Sequence, residues 1–350
     1  MSTVDTSELE IDEGSQEDSE EPFVTYDIAT YPSDLTLSVI SEMYHNGDIE
    51  IPQFQRHFVW TIKQSSLLIE SFLMGLPVPQ AFVYVGEDNK NLVIDGQQRI
   101  LSIIYFFEGY FGSENLHGRR QVFRLTGLHP KSPYHRMRFV DLSESDQRKL
   151  KSTVLRFMNI RQLDPRKEHT SVYHIFERLN TGGTPLKPQE IRNCVFRGEL
   201  VEVLSELNKD NNWRKIIGKT SFDKHQKDVE LILRILSLYK NWHNYEKPMK
   251  EFLNKTMEKQ KHAENKKIKN FQRLFPYVCE EVQRRLGPKP FHVRGPLNSS
   301  VLDSVMCTLL ENSNRIPGDL EFRFNRLLQD EDYEETTYYG TSDEKVLKER

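Results

Sequence analysis

Residues 81–110 read AFVYVGEDNKNLVIDGQQRILSIIYFFEGY, and their pattern indicates the type of core around which the neighbouring chain folds. The runs AFVYV and NLVID are rich in β-branched and aromatic residues, and the polar GEDNK between them predicts a β-hairpin. Gly96 then breaks the second strand, and the residues that follow return to helical periodicity. A hairpin that leads directly into a helix predicts a mixed α/β core.

The segments before this hairpin predict two helices. Residues 34–46 carry apolar side chains at helical spacing, and Gly47 is placed to end that helix. Thr61 and Gln64 have the spacing of a capping box in front of LLIESFLM, and Gly75 ends this second helix. Between the two helices, IEIPQFQRHFVW predicts a short strand that runs into a loop.

After the hairpin, the predicted secondary structure changes near residue 185 from mixed strands and helices to helices only. Up to that point we expect short strands in QVFRL, MRFV and TVLRFMNI, a polar helix in SESDQRKLKS and a helix at 167–180. From Pro188 onward every strong pattern is helical. We therefore expect an α+β fold, with an α/β domain at 23–185 and a helical domain at 186–329.

Charge is unevenly distributed along the chain. The formal total is −4, but residues 1–22 hold nine acidic residues and no lysine or arginine. Residues 330–350 hold eight acidic residues against three basic ones, so the body at 23–329 has a net charge of +10. We expect two disordered acidic tails and a basic body that binds a polyanion. The alternative is a positive excess that is spread evenly and serves only solubility.

Composition also excludes several classes of protein. No stretch reaches the roughly 18 apolar residues that a membrane span needs, and no secretory signal is present, so we expect a soluble cytoplasmic protein with no membrane partner. The three cysteines, Cys194, Cys279 and Cys307, are widely separated and form no Cys-x-x-Cys pair. We expect them to be reduced and buried.

Four stretches in order resemble one family. They are IPQFQRHFVW (51–60), LIESFLMGLPVPQAFVY (68–84), VIDGQQRILSI (93–103) and FERLNTGGTPLKPQEIRN (176–193). Together they are similar to the hallmarks of the GmrSD restriction endonuclease N-terminal domain. Four motifs at compatible spacing are more specific than any one of them.

The resemblance implies a ParB/sulfiredoxin-like core in which DGQQR lies at a site that binds and hydrolyses an NTP. It also implies recognition of modified or foreign DNA in restriction or phage defence. Many relatives continue into a nuclease domain of the His-metal type, marked by His-x-x-Pro. None of the 11 histidines here is followed by proline at the third position. We therefore expect a stand-alone form, which acts alone or with a separate nuclease subunit.

The turn Asp95–Arg99 is the first candidate site. It stands where a strand meets a helix N-terminus, whose unpaired N–H groups favour an anion, and Gly96 permits a close approach of the backbone. We predict Asp95, Gln98 and Arg99 as catalytic, Asp95 as a Mg²⁺ ligand, and Gly96 and Gln97 as nucleotide contacts. The alternative is an ordinary helix start, with Asp95 as the cap and Arg99 exposed.

Two further loops are predicted to complete the phosphate site. Gln55 and Arg56 stand between apolar anchors that would hold them rigidly, although a surface ion pair of Arg56 is an alternative. In the second loop, successive glycines can form an anion nest, but they are equally good helix C-cap residues. The residues of this second loop that we predict to bind the nucleotide are Arg178, Asn180, Gly182, Gly183, Glu190 and Arg192.

Two other patterns carry less weight. Gly218-Lys219-Thr220 is similar to the end of a P-loop, but Trp213 stands where that motif requires glycine, so we reject it. The run at 255–273 is a basic helical stretch suited to DNA phosphates, and a solvated helix face is the alternative.

The leading hypothesis is an enzyme that binds an NTP with Mg²⁺ between the Asp95–Arg99 turn and the two loops. One rival is a DNA-binding specificity subunit that hydrolyses nothing and recruits a separate nuclease. Another is a metal-dependent nuclease active in the α/β core itself. Turnover of NTP, salt-sensitive DNA binding and metal-dependent nicking distinguish the three.

Overall fold

The structure, a computed structural model, describes residues 8–12, 26–51, 58–86, 88–112, 120–164, 170–179 and 187–350. The strands are β1 (Ile11–Asp12), β2 (Asp27–Thr36), β3 (Ile49–Glu50), β4 (Ala81–Val85), β5 (Asn91–Asp95), β6 (Tyr110–Phe111), β7 (Gln121–Val122), β8 (Val154–Asp164) and β9 (Leu297–Asn298). The α-helices of the first half are α1 (Leu37–Asn46), α2 (Ile62–Met74), α3 (Gln97–Glu108), α4 (Glu144–Ser152) and α5 (Ser171–Leu179). Those of the second half are α6 (Pro188–Val195), α7 (Glu199–Leu207), α8 (Asn211–Ile216), α9 (Lys227–Leu238), α10 (Met249–Lys259), α11 (Lys266–Leu286), α12 (Ser299–Glu311), α13 (Leu320–Leu327), α14 (Glu331–Thr336) and α15 (Glu344–Glu349).

The chain divides into two compact units. One, called the α/β unit, spans Tyr26–Pro185, and the other, called the helical unit, combines Leu186–Arg350 with residues 8–12. The mixed strand and helix content confirms the predicted α+β class. No helix in the described ranges combines the length and the apolar composition that a membrane span requires.

The α/β unit is built on a five-stranded sheet with strand order β2-β8-β4-β5-β3. The pairs β2–β8 and β4–β5 are antiparallel, whereas β4–β8 and β3–β5 are parallel. Helices α1 to α4 share one hydrophobic core with this sheet, in which Ile69, Val83, Val93, Ile103 and Phe157 are fully or almost fully buried. Alternation along each strand directs one set of side chains into this core.

The hairpin and the start of α2 form as the sequence predicts. Strands β4 and β5 pair antiparallel. Thr61 Oγ1 accepts a hydrogen bond from the Gln64 backbone N–H, and Gln64 Oε1 accepts one from the Thr61 N–H, so the capping box is present. Gly47 and Gly75 end α1 and α2 in the left-handed conformation that favours glycine.

Two local predictions in this unit are wrong. The helix expected at 34–46 starts at Leu37, because Asp34–Thr36 belong to β2, and Thr36 is its N-cap. β2 lies at the sheet edge, where both faces tolerate polar residues, so its sequence DIATYPSDLT does not alternate. MRFV is not a strand, since Phe139–Asp141 form a 3₁₀ turn that the Arg138–Asp141 ion pair closes.

In the helical unit α9 packs against α6, α7, α10 and α12, and its side chains from Leu231 to Leu236 are all buried. The three cysteines are buried in this unit, and no disulfide joins them. The predicted basic helix at 255–273 is interrupted, because α10 ends at Lys259 and α11 begins at Lys266.

The terminal segments differ from the predicted disordered tails wherever the structure describes them. Residues 330–350 form α14 and α15, which bury Tyr333 and Leu347. Near the other end, Leu9 is 2% exposed, and β1 pairs in parallel with β9. The few apolar residues in these acidic segments are sufficient to dock them on the helical unit.

Candidate functional site

The Asp95–Arg99 turn joins β5 directly to α3. Asp95 ends the strand, Gly96 has φ 104°, and the helix begins at Gln97. A Cβ atom on residue 96 would lie 2.7 Å from Ala81 Cβ, which is closer than real Cβ contacts come. The turn therefore requires glycine, both for its left-handed backbone and for its contact with β4.

The N-terminus of α3 has no side-chain cap among the described residues. Its N-cap is Gly96, so Asp95 does not cap the helix as the simpler interpretation proposed. Backbone N–H groups in the first turn of a helix have no intrahelical acceptor, and the helix dipole places positive potential there. This end of α3 is consequently suited to an anion such as phosphate.

Arg99 lies across the turn rather than in solvent. Its Nη2 donates to Asp95 Oδ2 over 2.7 Å and to the Gln80 carbonyl oxygen over 3.0 Å. The Arg99 side chain is 15% exposed, whereas that of Asp95 is 50% exposed. Within the described ranges the buried Arg99 Nε has no hydrogen-bond partner. The ion pair thus holds a cation and an accessible carboxylate side by side at the helix start.

Gln98 connects the turn with the segment that precedes α2. Its Oε1 accepts hydrogen bonds from the backbone N–H groups of Val59 and Trp60, over 3.1 and 3.2 Å. The side-chain oxygen is occupied by these contacts, so in this structure Gln98 positions the chain beside the turn. Its predicted catalytic role stays a prediction.

The first of the two predicted loops and most of the second lie outside the described residues. This applies to Gln55, Arg56, Asn180, Gly182 and Gly183. The chain is described again from Phe58, whose ring contacts Tyr105 of α3 with 5.0 Å between the ring centroids.

Arg178 lies in the same unit as the turn. It is exposed in the last turn of α5, a helix that packs against β5. Because β5 leads into the Asp95–Arg99 turn, the sheet places Arg178 on an element adjacent to the strand that carries Asp95.

Glu190 and Arg192 belong to α6 in the helical unit and have partners there. Glu190 Oε2 accepts from the Lys187 backbone N–H over 2.7 Å. Arg192 is 1% exposed, and its Nη1 lies 3.0 Å from Glu230 Oε2. These contacts stabilise the helix start and the interior of the unit, and the predicted nucleotide contacts of both residues stay predictions.

A preformed metal cluster is absent from the part of the chain that the structure describes, where no three His, Cys, Asp or Glu side chains converge. Mg²⁺ in phosphate sites commonly uses one or two carboxylates and completes its shell with water and phosphate oxygens. The single carboxylate of Asp95 therefore fits Mg²⁺ only when a nucleotide supplies further oxygen ligands.

Two buried serines that the sequence did not indicate lie behind the turn, at the contact between α2 and α3. Ser65 of α2 and Ser102 of α3 are fully buried, and their hydroxyl oxygens lie 2.8 Å apart. Ser102 Oγ also donates to the Gln98 carbonyl oxygen over 2.7 Å. The one available signal was a serine at an apolar position of each helix, which alone does not identify a partner 37 residues away.

No curated protein is significantly similar to the chain. The model of the GmrSD restriction endonuclease N-terminal domain, however, matches residues 37–197 and includes all four motifs that carried the resemblance. The predicted family is therefore confirmed, and residues 37–197 of this chain belong to the GmrSD restriction endonuclease N-terminal domain family.

Proposed function

We propose that this protein binds and hydrolyses a nucleoside triphosphate and acts on DNA in restriction or phage defence. The observation that carries the proposal is the Gly96 turn, where an uncapped helix start, Arg99 and the half-exposed Asp95 meet. The family to which residues 37–197 belong is named for restriction endonucleases, and this supports DNA as the partner.

Phosphate binding would use both the backbone and Arg99. The first N–H groups of α3 offer neutral donors, and the Arg99 guanidinium offers a charged one whose Nε is not engaged within the described ranges. Val59 and Trp60, which Gln98 holds at the turn, follow Gln55 and Arg56 in the sequence. This order supports the prediction that Gln55 and Arg56 contribute to the same phosphate site.

Hydrolysis requires an oriented water and stabilisation of charge that develops on the phosphoryl oxygens. The Asp95 carboxylate would orient the water and accept its proton, and Arg99 would stabilise the developing charge. A phosphate that replaces Asp95 as the partner of Arg99 would also leave the carboxylate available to accept the proton of the water. Mg²⁺ bound together with the nucleotide would supply further charge neutralisation, with Asp95 as its protein ligand.

A phosphate-release assay on the full chain with each of the four NTPs tests this function. We expect Asp95→Ala and Arg99→Ala each to lower turnover by about 100-fold or more, the range for removal of a general base or a charge-stabilising donor. Asp34→Ala is the matched control, since Asp34 forms an exposed ion pair with Arg156 on β8. We expect the control to keep wild-type turnover.

Full activity in both Asp95→Ala and Arg99→Ala would refute the assignment. DNA binding without NTP turnover in the wild type would instead favour the non-catalytic specificity subunit. Nicking of a plasmid that depends on added metal and not on NTP would favour the nuclease.

A further inference from the structure

The loop between α8 and α9 in the helical unit contains the Gly218-Lys219-Thr220 sequence that is not a P-loop. A buried network fixes the first half of this loop. Arg214 is 7% exposed, and its guanidinium donates to the carbonyl oxygens of Lys219 and Ser221, with an N–O distance of 3.0 Å to Lys219. The same guanidinium bonds to the buried Asp228 carboxylate over 2.7 Å. The backbone of the loop is therefore preorganised.

Asp223 fixes the second half of the loop. Its Oδ1 accepts hydrogen bonds from the backbone N–H groups of His225 and Lys227, over 2.9 and 3.2 Å. Its own N–H donates to Asp228 over 3.0 Å. The side chains on this loop consequently project from a fixed backbone, which lowers the entropy cost of binding a ligand.

Phe222 projects from the centre of this loop into solvent. Its ring is 61% exposed, and the Arg214 guanidinium carbon lies 5.1 Å from the ring centroid. The guanidinium supports the ring from the protein side, while most of the ring surface stays accessible. A rigid, exposed aromatic ring can stack on a nucleic-acid base.

Lysines precede and follow Phe222 along the chain at this loop. Lys215, Lys219 and Lys289 surround Gly218, since the Lys289 backbone N–H donates to the Lys215 carbonyl over 3.2 Å and the Lys289 side chain lies over Gly218. After Phe222 come Lys224, which is 64% exposed, and the partly buried Lys227. This arrangement suits a phosphate backbone that passes the ring.

The carboxylate of Glu8 lies beside the lysines that follow Phe222 in the chain. Glu8 Oε1 is 2.9 Å from Lys224 Nζ and 3.5 Å from His225 Nε2. The segment that carries Glu8 is held by the Leu9 N–H, which donates to Asp223 over 2.9 Å. The acidic segment at 8–12 thus occupies two of the lysines that a phosphate would use, Lys224 and Lys227.

We propose that this surface binds single-stranded or unpaired nucleic acid, with a base stacked on Phe222 and phosphates on the flanking lysines. We call it the Phe222 surface, and it consists of Lys215, Lys219, Phe222, Lys224, Lys227 and Lys289. The segment at 8–12 competes with the nucleic acid for it. Paired bases hide their faces in the duplex, so an exposed ring selects unpaired bases. The inference deepens the proposed function and rests on its assignment of DNA as the partner.

Fluorescence anisotropy with a labelled single-stranded DNA oligonucleotide, on the full chain without nucleotide, tests this surface. We expect Phe222→Ala to weaken binding roughly tenfold and Phe222→Trp to retain it, because stacking on an aromatic ring contributes at about this level. Phe322→Ala removes a ring of similar exposure, 68%, from α13 of the same unit and should leave the affinity unchanged.

The charged residues give a second, independent readout. Lys224→Ala should reduce the slope of log affinity against log salt by about 0.7, the value for one phosphate contact to a single strand. Glu8→Gln should strengthen binding, because it releases Lys224, while Glu10→Gln in the same segment should not.

Equal affinities of Phe222→Ala and Phe322→Ala, or no binding of the single strand by the wild type, would overturn the inference. So would a duplex that binds as tightly as the single strand and is insensitive to Phe222→Ala. Because oligonucleotide binding is measured without NTP, a failure of hydrolysis at Asp95 leaves this test intact. Conversely, loss of turnover in Asp95→Ala beside unchanged binding in Phe222→Ala would reject the surface and keep the enzyme.

Discussion

Two buried arginines of the helical unit, Arg214 and Arg234, form ion pairs with buried aspartates. Arg214 Nη1 lies 2.7 Å from Asp228 Oδ2, and Arg234 Nη2 lies 2.8 Å from Asp303 Oδ2. Burial of an unpaired charge is strongly unfavourable, so removal of one partner costs more than the pair itself contributes. Arg192, which the sequence placed in a nucleotide site, has the same buried character.

Lys267 differs from these residues because desolvation changes its pKa more strongly than the neighbouring groups do. Its Nζ donates to the Ser237 carbonyl oxygen over 3.4 Å. Desolvation lowers the pKa of Lys267 to about 8, although Cys307 and Glu311 favour the charged form. The folded state therefore gives up this proton at a lower pH than the unfolded chain.

We expect Lys267→Met to stabilise the protein at pH 7 by about 2 kcal/mol, after a discount for solvent screening. The unfavourable free energy of burying the charged lysine is fully present below about pH 8. It decreases as the pH rises toward 10.5, the ordinary pKa of lysine. The difference in unfolding free energy between variant and wild type should thus shrink over this window. Urea unfolding at several pH values, followed by tryptophan fluorescence, measures it.

Burial raises the pKa of the three cysteine thiols in the folded protein, to about 12 for Cys194, so these thiols titrate in this pH range only in the unfolded chain. They are common to both proteins, so their contribution largely cancels in the difference. A stability difference that stays constant from pH 7 to pH 10.5 would contradict the role of Lys267 charge.

At the scale of elements, ion pairs of similar geometry differ in what their loss costs in stability. The Arg214–Asp228 pair is buried and organises the loop before α9, whereas the Asp34–Arg156 pair joins β2 to β8 at the surface. Solvent screens the second pair, and the long exposed Arg156 side chain loses entropy when it forms the pair.

We expect Asp228→Asn to destabilise the helical unit by about 3–5 kcal/mol, because it leaves the Arg214 charge buried without a counter-ion. Asp34→Asn, with the same chemical change, should cost about 1 kcal/mol or less. Urea unfolding followed by tryptophan fluorescence measures both costs, through Trp213 and Trp242 for the helical unit and Trp60 for the α/β unit. Equal costs for the two variants would show that burial does not govern these pairs.

At the scale of the whole molecule, the acidic segment at 8–12 becomes part of the helical unit. Leu9 is buried, and the Leu297 backbone N–H donates to the Glu10 carbonyl oxygen over 3.3 Å, so one apolar side chain and a short strand pair hold the segment. The net charge of −4 therefore does not describe the surface that a polyanion meets, because this segment shields basic residues.

Leu9→Ala should release this segment. Truncation of a buried leucine costs about 2 kcal/mol or more, so we expect exchange of the Leu297 amide hydrogen to accelerate roughly 30-fold. The Phe123 amide, which donates to the Gly109 carbonyl in the α/β unit, is the internal control and should not change. Unaltered exchange at Leu297 would show that Leu9 does not anchor the segment.

Local signals were sufficient for much of the α/β unit and for its family. The hairpin, the capping box at Thr61 and the glycines that end α1 and α2 depend on residues within a few positions of one another. The Asp95–Arg99 turn was predictable for the same reason, since a strand, a glycine and a helix start are adjacent in sequence.

Contacts between distant segments could not be read in this way. The Arg99 bond to the Gln80 carbonyl, the Gln98 contact with Val59 and the burial of Leu9 each join positions that only the folded chain brings together. Composition predicted disorder at both ends, yet a few apolar side chains of the described residues 8–12 and 330–350 are buried in the helical unit, because burial depends on the surface available elsewhere in the molecule. The extent of β2 at the sheet edge could not be predicted from its sequence either, since its polar residues pair with β8 through their backbone.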